Sequence, residues 1–136
     1  MIDHFMTNAI GPALILKHVR LFLDKKSSSV VSVLSARVGS IEDNKLGGWY
    51  SYRAAKAAVN QIVKSFSIEL SRSHPEACLL AIHPGTVDTN LTHKYASKHP
   101  TQTPTEAAQN ILDVTLKKNS SHTGRFYDWA NKEIPW

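Results

Sequence analysis

Tyr52 and Lys56 are the residues whose types and spacing point most directly to chemistry. Four residues apart on a predicted helix, their side chains share one face. A lysine ammonium near a phenol favours the phenolate, so we expect Lys56 to lower the pKa of Tyr52 from about 10 toward neutrality. Such a phenol can exchange a proton with a carbonyl oxygen at cellular pH. Taken alone, the pair is more often an exposed helix pair without a catalytic role.

Two loops beside this pair follow predicted strands. Ser35 comes directly after the β-branched run at 30–34, and the segment from Pro84 to Thr89 comes after the apolar run at 79–82. Open α/β sheets bind ligands at the carboxyl ends of parallel strands. We therefore expect both loops to lie near Tyr52 and Lys56.

Hydrophobic periodicity predicts the elements that position these residues. Helices are expected at 3–23, 50–71 and 105–118, and strands at 30–34, 79–82 and 125–129. Pro12 predicts a kink in the first helix, and Thr105 is the candidate N-cap of the third. Strands that alternate with helices of this length form a parallel sheet with right-handed crossovers. The fold class is therefore α/β, with three parallel strands and three helices.

The motifs in combination resemble the short-chain dehydrogenase/reductase family. The pattern consists of an asparagine on the first helix, a serine after the next strand, Tyr-x-x-x-Lys, and Pro-Gly-x-Val-x-Thr. The stretch 39–53 and the ending Ile134-Pro135-Trp136 are similar to the C-factor-like and sniffer-like carbonyl reductases. The resemblance implies the C-terminal half of a doubly wound, Rossmann-like parallel sheet. Residues 1–136 would then be a single partial domain whose glycine-rich N-terminal half is absent.

The resemblance also implies roles for individual residues. Tyr52 would be the general acid/base, and Lys56 would lower its pKa and bind the nicotinamide ribose. Asn8 would hold a water of the proton relay, although a polar residue that merely bends the helix is the alternative. The residues expected to line the nicotinamide and diphosphate end of the cofactor are Pro84, Gly85, Val87 and Thr89, each of which could also belong to an ordinary turn.

No serine stands at the position where the family pattern has one. In the family this serine stands three residues before the loop glycine, and here Ala36 occupies that place relative to Gly39. We predict Ser35 as the serine that orients the substrate carbonyl. Ser40 is the alternative, and a third possibility is that no serine has this role. A structural role for Ser35 at the strand end is equally consistent with the sequence.

The glycine-rich turn that cradles a diphosphate has no counterpart in the sequence. The residue that would select NAD or NADP is missing with it. The expected function is an NAD(P)-dependent carbonyl reductase or alcohol dehydrogenase, present as a C-terminal fragment or truncated form. The alternative is a non-catalytic remnant that acts, if at all, as an interaction module.

Composition adds expectations about compartment and partners. A single cysteine, Cys78, fits a reducing, cytoplasmic setting. The net charge is +5, but no basic run is interleaved with aromatic residues, so nucleic-acid binding is not expected. Neither a membrane span nor a metal site is predicted, and the expected small-molecule partner is a carbonyl or alcohol substrate. A homodimer through the first two helices is also expected, with the apolar residues Leu14, Leu16, Phe22, Val59, Val63 and Phe66 at its interface.

Overall fold

Three parallel strands form one sheet in the computed structural model, which describes residues 1–89, 92 and 101–136. The strands are β1 (Ser29–Leu34), β2 (Ala77–His83) and β3 (Arg125–Asp128), in that spatial order. Val30 of β1 lies opposite Cys78 of β2, and both strand pairs run parallel. The predicted parallel sheet is therefore confirmed, and the three strands end at the same edge.

Helices connect the strands. The longest is α3 (Tyr50–Ser73), which joins β1 to β2. Among the described residues no helix is long and apolar enough to cross a membrane. The other elements of the described residues are α1 (Ile2–Phe5), a π-helical turn (Met6–Ile10), α2 (Gly11–Val19), α4 (Pro104–Leu116) and 3₁₀ turns at Arg20–Phe22, Arg37–Gly39 and Ser120–His122.

Both faces of the sheet are covered, which gives three layers. Alternate residues of a strand point to opposite faces. Leu79 and Ala81 therefore pack toward α3, and Leu80 and Ile82 pack toward α4. Because β2 is buried on both faces, its sequence is continuously apolar instead of alternating.

The expected kink at Pro12 takes the form of a π-helical turn. The N–H of Gly11 donates to the carbonyl of Met6, five residues back. Pro12 has no N–H, so the carbonyl of Asn8 lacks the donor that a regular α-helix would supply. The side-chain amide of Asn8 donates to the carbonyl of His4 at 3.0 Å. The turn before Pro12 is therefore wider than an α-helical turn.

The N-cap of α4 is Thr103, so the prediction of Thr105 is wrong. The Thr103 hydroxyl accepts from the N–H of Glu106 at 3.2 Å, and the Glu106 carboxylate accepts from the N–H of Thr103 at 2.8 Å. This reciprocal pair is a capping box. Pro104 follows at the first helical position, where its missing N–H costs nothing.

Replacing Thr103 by Ala should therefore destabilise the protein by about 1 kcal/mol, because the helix start loses its side-chain acceptor. The free energy of unfolding in urea measures this. Thr105→Ala is the matched control, and a loss as large as that of Thr103→Ala would show that the cap does not depend on Thr103.

Candidate active site

Lys56 and Tyr52 lie on the face of α3 that turns toward the end of β1. The Lys56 side chain is buried, and its Nζ donates to the carbonyl of Leu34 at 3.1 Å. The same Nζ lies 5.8 Å from the centroid of the Tyr52 ring. The rings of Tyr52 and His4 also pack edge to face, at a centroid distance of 5.9 Å. The structure thus brings the two predicted residues together at the carboxyl edge of the sheet.

The expected lowering of the Tyr52 pKa is wrong for this structure. Burial raises the pKa of Tyr52 above its ordinary value, and burial lowers the pKa of Lys56. The physical reason is that Lys56 directs its ammonium to the Leu34 carbonyl, so a phenolate would lose water without gaining a close cation. Tyr52 is therefore protonated at neutral pH and is able to donate a proton.

The hydroxyls of both candidate serines are engaged elsewhere. Ser35 is buried and donates its only hydroxyl proton to Oδ1 of Asn60 at 2.5 Å. Ser40 is also buried and donates to the carbonyl of Pro135 at 2.6 Å. Ala36, at the family position, has no hydroxyl. Both serine hydroxyls thus donate to acceptors within the protein, and the carbonyl-orienting role of Ser35 stays a prediction.

Asn8 approaches α3 through the π-helical turn. This turn and α1 both pack against α3, so the N-terminal helices hold Asn8 on the side of the helix from which His4 contacts Tyr52. Its side-chain amide is occupied by the His4 carbonyl, and its backbone carbonyl is the group that Pro12 leaves without an α-helical donor.

The loop after β2 is fixed by Gln102. The N–H of Gln102 donates to the carbonyl of Thr86 at 2.9 Å, and its carbonyl accepts from the N–H of Asp88 at 2.8 Å. Val87 and Gln102 therefore form an isolated parallel bridge. Thr89, which is exposed, donates its N–H to the hydroxyl of Thr92 at 3.0 Å.

Gly85 in this loop admits no side chain. Its φ is +81°, and a Cβ built on it would lie 2.5 Å from Nε2 of Gln102 and 2.8 Å from Cδ1 of Trp129. Pro84 and Gly85 follow β2 directly, so the loop begins at the same sheet edge as the end of β1. Gln102 and Trp129 were not predicted from the sequence, because no local pattern links either residue to position 85.

A partly buried ion pair at the same sheet edge also escaped prediction. Nη2 of Arg37 lies 3.0 Å from Oδ2 of Asp128, a carboxylate that is almost fully buried. His83 stands opposite Asp128 in the sheet. Burial, with the nearby Arg37 charge, lowers the pKa of His83 to about 4. His83 is therefore neutral at neutral pH and does not act as a proton donor there.

Arg53 holds the loop that leads into α3. Its Nε donates to the carbonyls of Gly47 at 3.1 Å and Gly48 at 3.0 Å, and its Nη1 donates to the carbonyl of Val38 at 3.1 Å. Both ends of the loop are thus attached to the first turn of α3, next to Tyr52. The sequence shows only that Arg53 follows Tyr52, and this adjacency does not predict the three carbonyl groups that Arg53 binds.

Comparison with known proteins shows the family of the chain. The model of the short chain dehydrogenase family matches residues 2–100. The C-signal protein of Myxococcus xanthus is 32% identical over 97% of this chain and 76% of its own length. A 1-hydroxy-2-glutathionyl-2-methyl-3-butene dehydrogenase of a Rhodococcus species is 34% identical over 95% of this chain and 55% of its own length. The chain belongs to the short-chain dehydrogenase/reductase family, a family of oxidoreductases.

Solved structures agree with this assignment. The carbonyl reductase Sniffer of Drosophila melanogaster superposes with a TM-score of 0.83 at 25% identity, over all of this chain and 57% of that one. A carbonyl reductase of Pseudomonas aeruginosa in complex with NADP superposes with a TM-score of 0.76 at 26% identity, over 97% of this chain and 54% of that one. The chain therefore spans about half the length of most of these relatives.

Proposed function

We propose that this chain carries the catalytic part of an NAD(P)-dependent carbonyl reductase or alcohol dehydrogenase. The observation that carries the proposal is the placement of Tyr52 beside Lys56 at the carboxyl edge of a parallel sheet, with Nζ of Lys56 3.1 Å from the Leu34 carbonyl. Family membership supports the class of reaction. The substrate we propose is a small carbonyl compound or alcohol.

The residues present fit the nicotinamide end of the cofactor. Gly85 has no side chain of its own to obstruct the loop, and backbone hydrogen bonds to Gln102 hold the loop around Val87. Lys56 would bind the nicotinamide ribose, and Pro84, Gly85, Val87 and Thr89 would line the adjoining part of the cofactor. When bound, NAD or NADP supplies or accepts the hydride. The chain holds no glycine-rich turn for the diphosphate, so the choice between NAD and NADP stays open.

Tyr52 would act as the proton donor to the carbonyl oxygen during reduction. Because burial raises the pKa of Tyr52, the phenol holds its proton at neutral pH, as the reductive direction requires. Lys56 would offset only part of the cost of the phenolate that remains after the transfer, because its Nζ lies 5.8 Å from the Tyr52 ring centroid and is hydrogen-bonded to the Leu34 carbonyl. A water on the backbone carbonyl of Asn8, which Pro12 leaves without an α-helical donor, would return a proton to the pair. We propose a cytoplasmic setting because the single cysteine, Cys78, forms no disulfide.

The test of this function joins the chain to a glycine-rich nucleotide-binding half and follows stereospecific transfer of deuterium from labelled NADH or NADPH to an aldehyde. Transfer that depends on Tyr52 supports an oxidoreductase. If the joined protein binds the cofactor and transfers no deuterium to any of a panel of aldehydes and ketones, the oxidoreductase proposal fails and the non-catalytic alternative replaces it.

We also propose that the protein forms a homodimer, with an interface that differs from the predicted one. Val59 and Val63 on α3 and Leu16 on α2 belong to the hydrophobic core, so they are not available to a partner. Two of the predicted interface residues remain exposed, one on α2 and one on the 3₁₀ turn that follows it. Leu14 is 57% exposed and Phe22 is 84% exposed. A groove between them is lined by Leu14, Ile15, His18, Val19 and Phe22.

Substituting serine for Phe22 should therefore weaken the dimer, because a large apolar side chain leaves the interface. Light scattering at micromolar concentration is expected to give the mass of a dimer for the parent protein and a shift toward the monomer for Phe22→Ser. Leu46→Ser, at another exposed apolar position, is the control. A parent protein that is strictly monomeric would contradict the proposal.

A further inference from the structure

Two side chains of α3 bind two consecutive residues at the end of β1. Lys56 donates from Nζ to the carbonyl of Leu34 at 3.1 Å. Asn60, one helical turn further on, accepts at Oδ1 from the hydroxyl of Ser35 at 2.5 Å. Residues four apart on a helix lie one above the other, so the two contacts are parallel links between α3 and β1.

The peptide group between Leu34 and Ser35 is held on both sides. Its carbonyl, from Leu34, accepts from Lys56, and its N–H, from Ser35, donates to the carbonyl of Ile82 at 2.8 Å. The plane of a peptide group carries both polar atoms together, so rotating it to move the carbonyl also breaks the bond to β2. The hydroxyl bond of Ser35 to Asn60 adds a third restraint directly beside this plane.

The three side chains of this arrangement are shielded from water. Ser35 and Asn60 are each 3% exposed and Lys56 is 8% exposed. A buried hydrogen bond is costly to lose, because water does not replace the missing partner. The position of the Lys56 ammonium therefore depends on where the Leu34 carbonyl is held.

We propose that Ser35 and Asn60 are positioning residues, which fix the Leu34 carbonyl and through it place the ammonium of Lys56 beside Tyr52. The inference rests on the proposed function for its catalytic consequence. It assigns Ser35 a role that does not require contact with the substrate. It also explains how a serine one residue away from the family position serves the same site.

The first test uses the 136-residue chain labelled with ¹⁵N and measures exchange of the Lys56 ammonium protons with water by NMR. Loss of one restraining hydrogen bond in Ser35→Ala or Asn60→Leu should speed this exchange about fivefold to tenfold. Ser35→Thr, which keeps the hydroxyl, should retain slow exchange. The matched control is Ser67→Ala. Ser67 is a buried serine on α3, and its hydroxyl donates to the Lys64 carbonyl at 2.7 Å.

Unchanged Lys56 exchange in both Ser35→Ala and Asn60→Leu would overturn the proposal. An increase in Ser67→Ala as large as in Ser35→Ala would overturn it as well, because general loosening of α3 would then explain the effect. If Ser35→Ala does not fold, Asn60→Leu, which conserves side-chain volume, decides the question.

The second test separates the positioning role from the proposed function. In the chain joined to a nucleotide-binding half, Ser35→Ala should lower kcat about tenfold with little change in KM, and Ser35→Thr should restore it. If exchange of Lys56 responds as expected and the parent enzyme is inactive, the proposed function fails and the positioning of Lys56 stands. If the parent enzyme is active and Ser35→Ala leaves kcat unchanged, the catalytic consequence of the inference is refuted.

Discussion

Replacing Tyr52 by Phe in the chain joined to a nucleotide-binding half should reduce turnover by about 10²-fold or more. Phe removes the phenolic proton held beside Lys56 and keeps the ring that contacts His4. General acid catalysis contributes on the order of 10²-fold to 10⁴-fold, so its loss appears in kcat. Steady-state oxidation of NADH or NADPH by an aldehyde measures the effect, with cofactor binding measured separately.

Tyr50→Phe is the matched control for this substitution. Tyr50 begins the same helix two residues earlier and is 81% exposed, so its hydroxyl has no part in the proposed proton transfer. We expect its kcat to equal that of the parent. Turnover of Tyr52→Phe within a factor of about two of the parent would refute the role of Tyr52 as proton donor.

Tested alone, the 136-residue chain should bind NADH and NADPH with dissociation constants that are orders of magnitude above micromolar. The residues proposed for the cofactor, Lys56 and the loop from Pro84 to Thr89, reach only its nicotinamide end. A glycine-rich turn supplies several charge-assisted hydrogen bonds to the diphosphate, each worth roughly 1.5–3 kcal/mol. Since about 1.4 kcal/mol corresponds to a factor of ten in affinity, the loss of several such hydrogen bonds weakens cofactor binding by orders of magnitude. The same chain should show no NAD(P)H-dependent carbonyl reduction.

Isothermal titration with two ligands tests this explanation. If only the nicotinamide end is bound, nicotinamide mononucleotide should bind about as weakly as the whole dinucleotide, because the adenosine half adds no contact. Micromolar affinity for either dinucleotide would show that the chain is self-sufficient and that the contribution of a glycine-rich half had been overestimated.

The sequence by itself determined the order of the elements and the central pair of the site. Alternation of β-branched runs with longer amphipathic segments fixed three strands and their parallel direction, since a helical crossover returns the chain to the same sheet edge. The spacing of Tyr52 and Lys56 placed them on one face for a purely local reason. The cap at Thr103 was equally local, and the pattern of Thr103 followed by Glu106 three residues later was available in the sequence.

Only the tertiary structure decided what these residues contact and how they ionise. Ser35 and Asn60 are 25 residues apart, and nothing near either one indicates their bond. The pKa of Tyr52 rises although a lysine is near, because burial of the phenol outweighs a cation that is directed to the Leu34 carbonyl. Val59 and Val63 have the same apolar character as an interface residue, and they pack on the sheet because α3 turns that face inward. The hydrophobic pattern predicts which side chains are buried. Whether they are buried by the sheet of the same chain or by a second subunit depends on how distant segments pack.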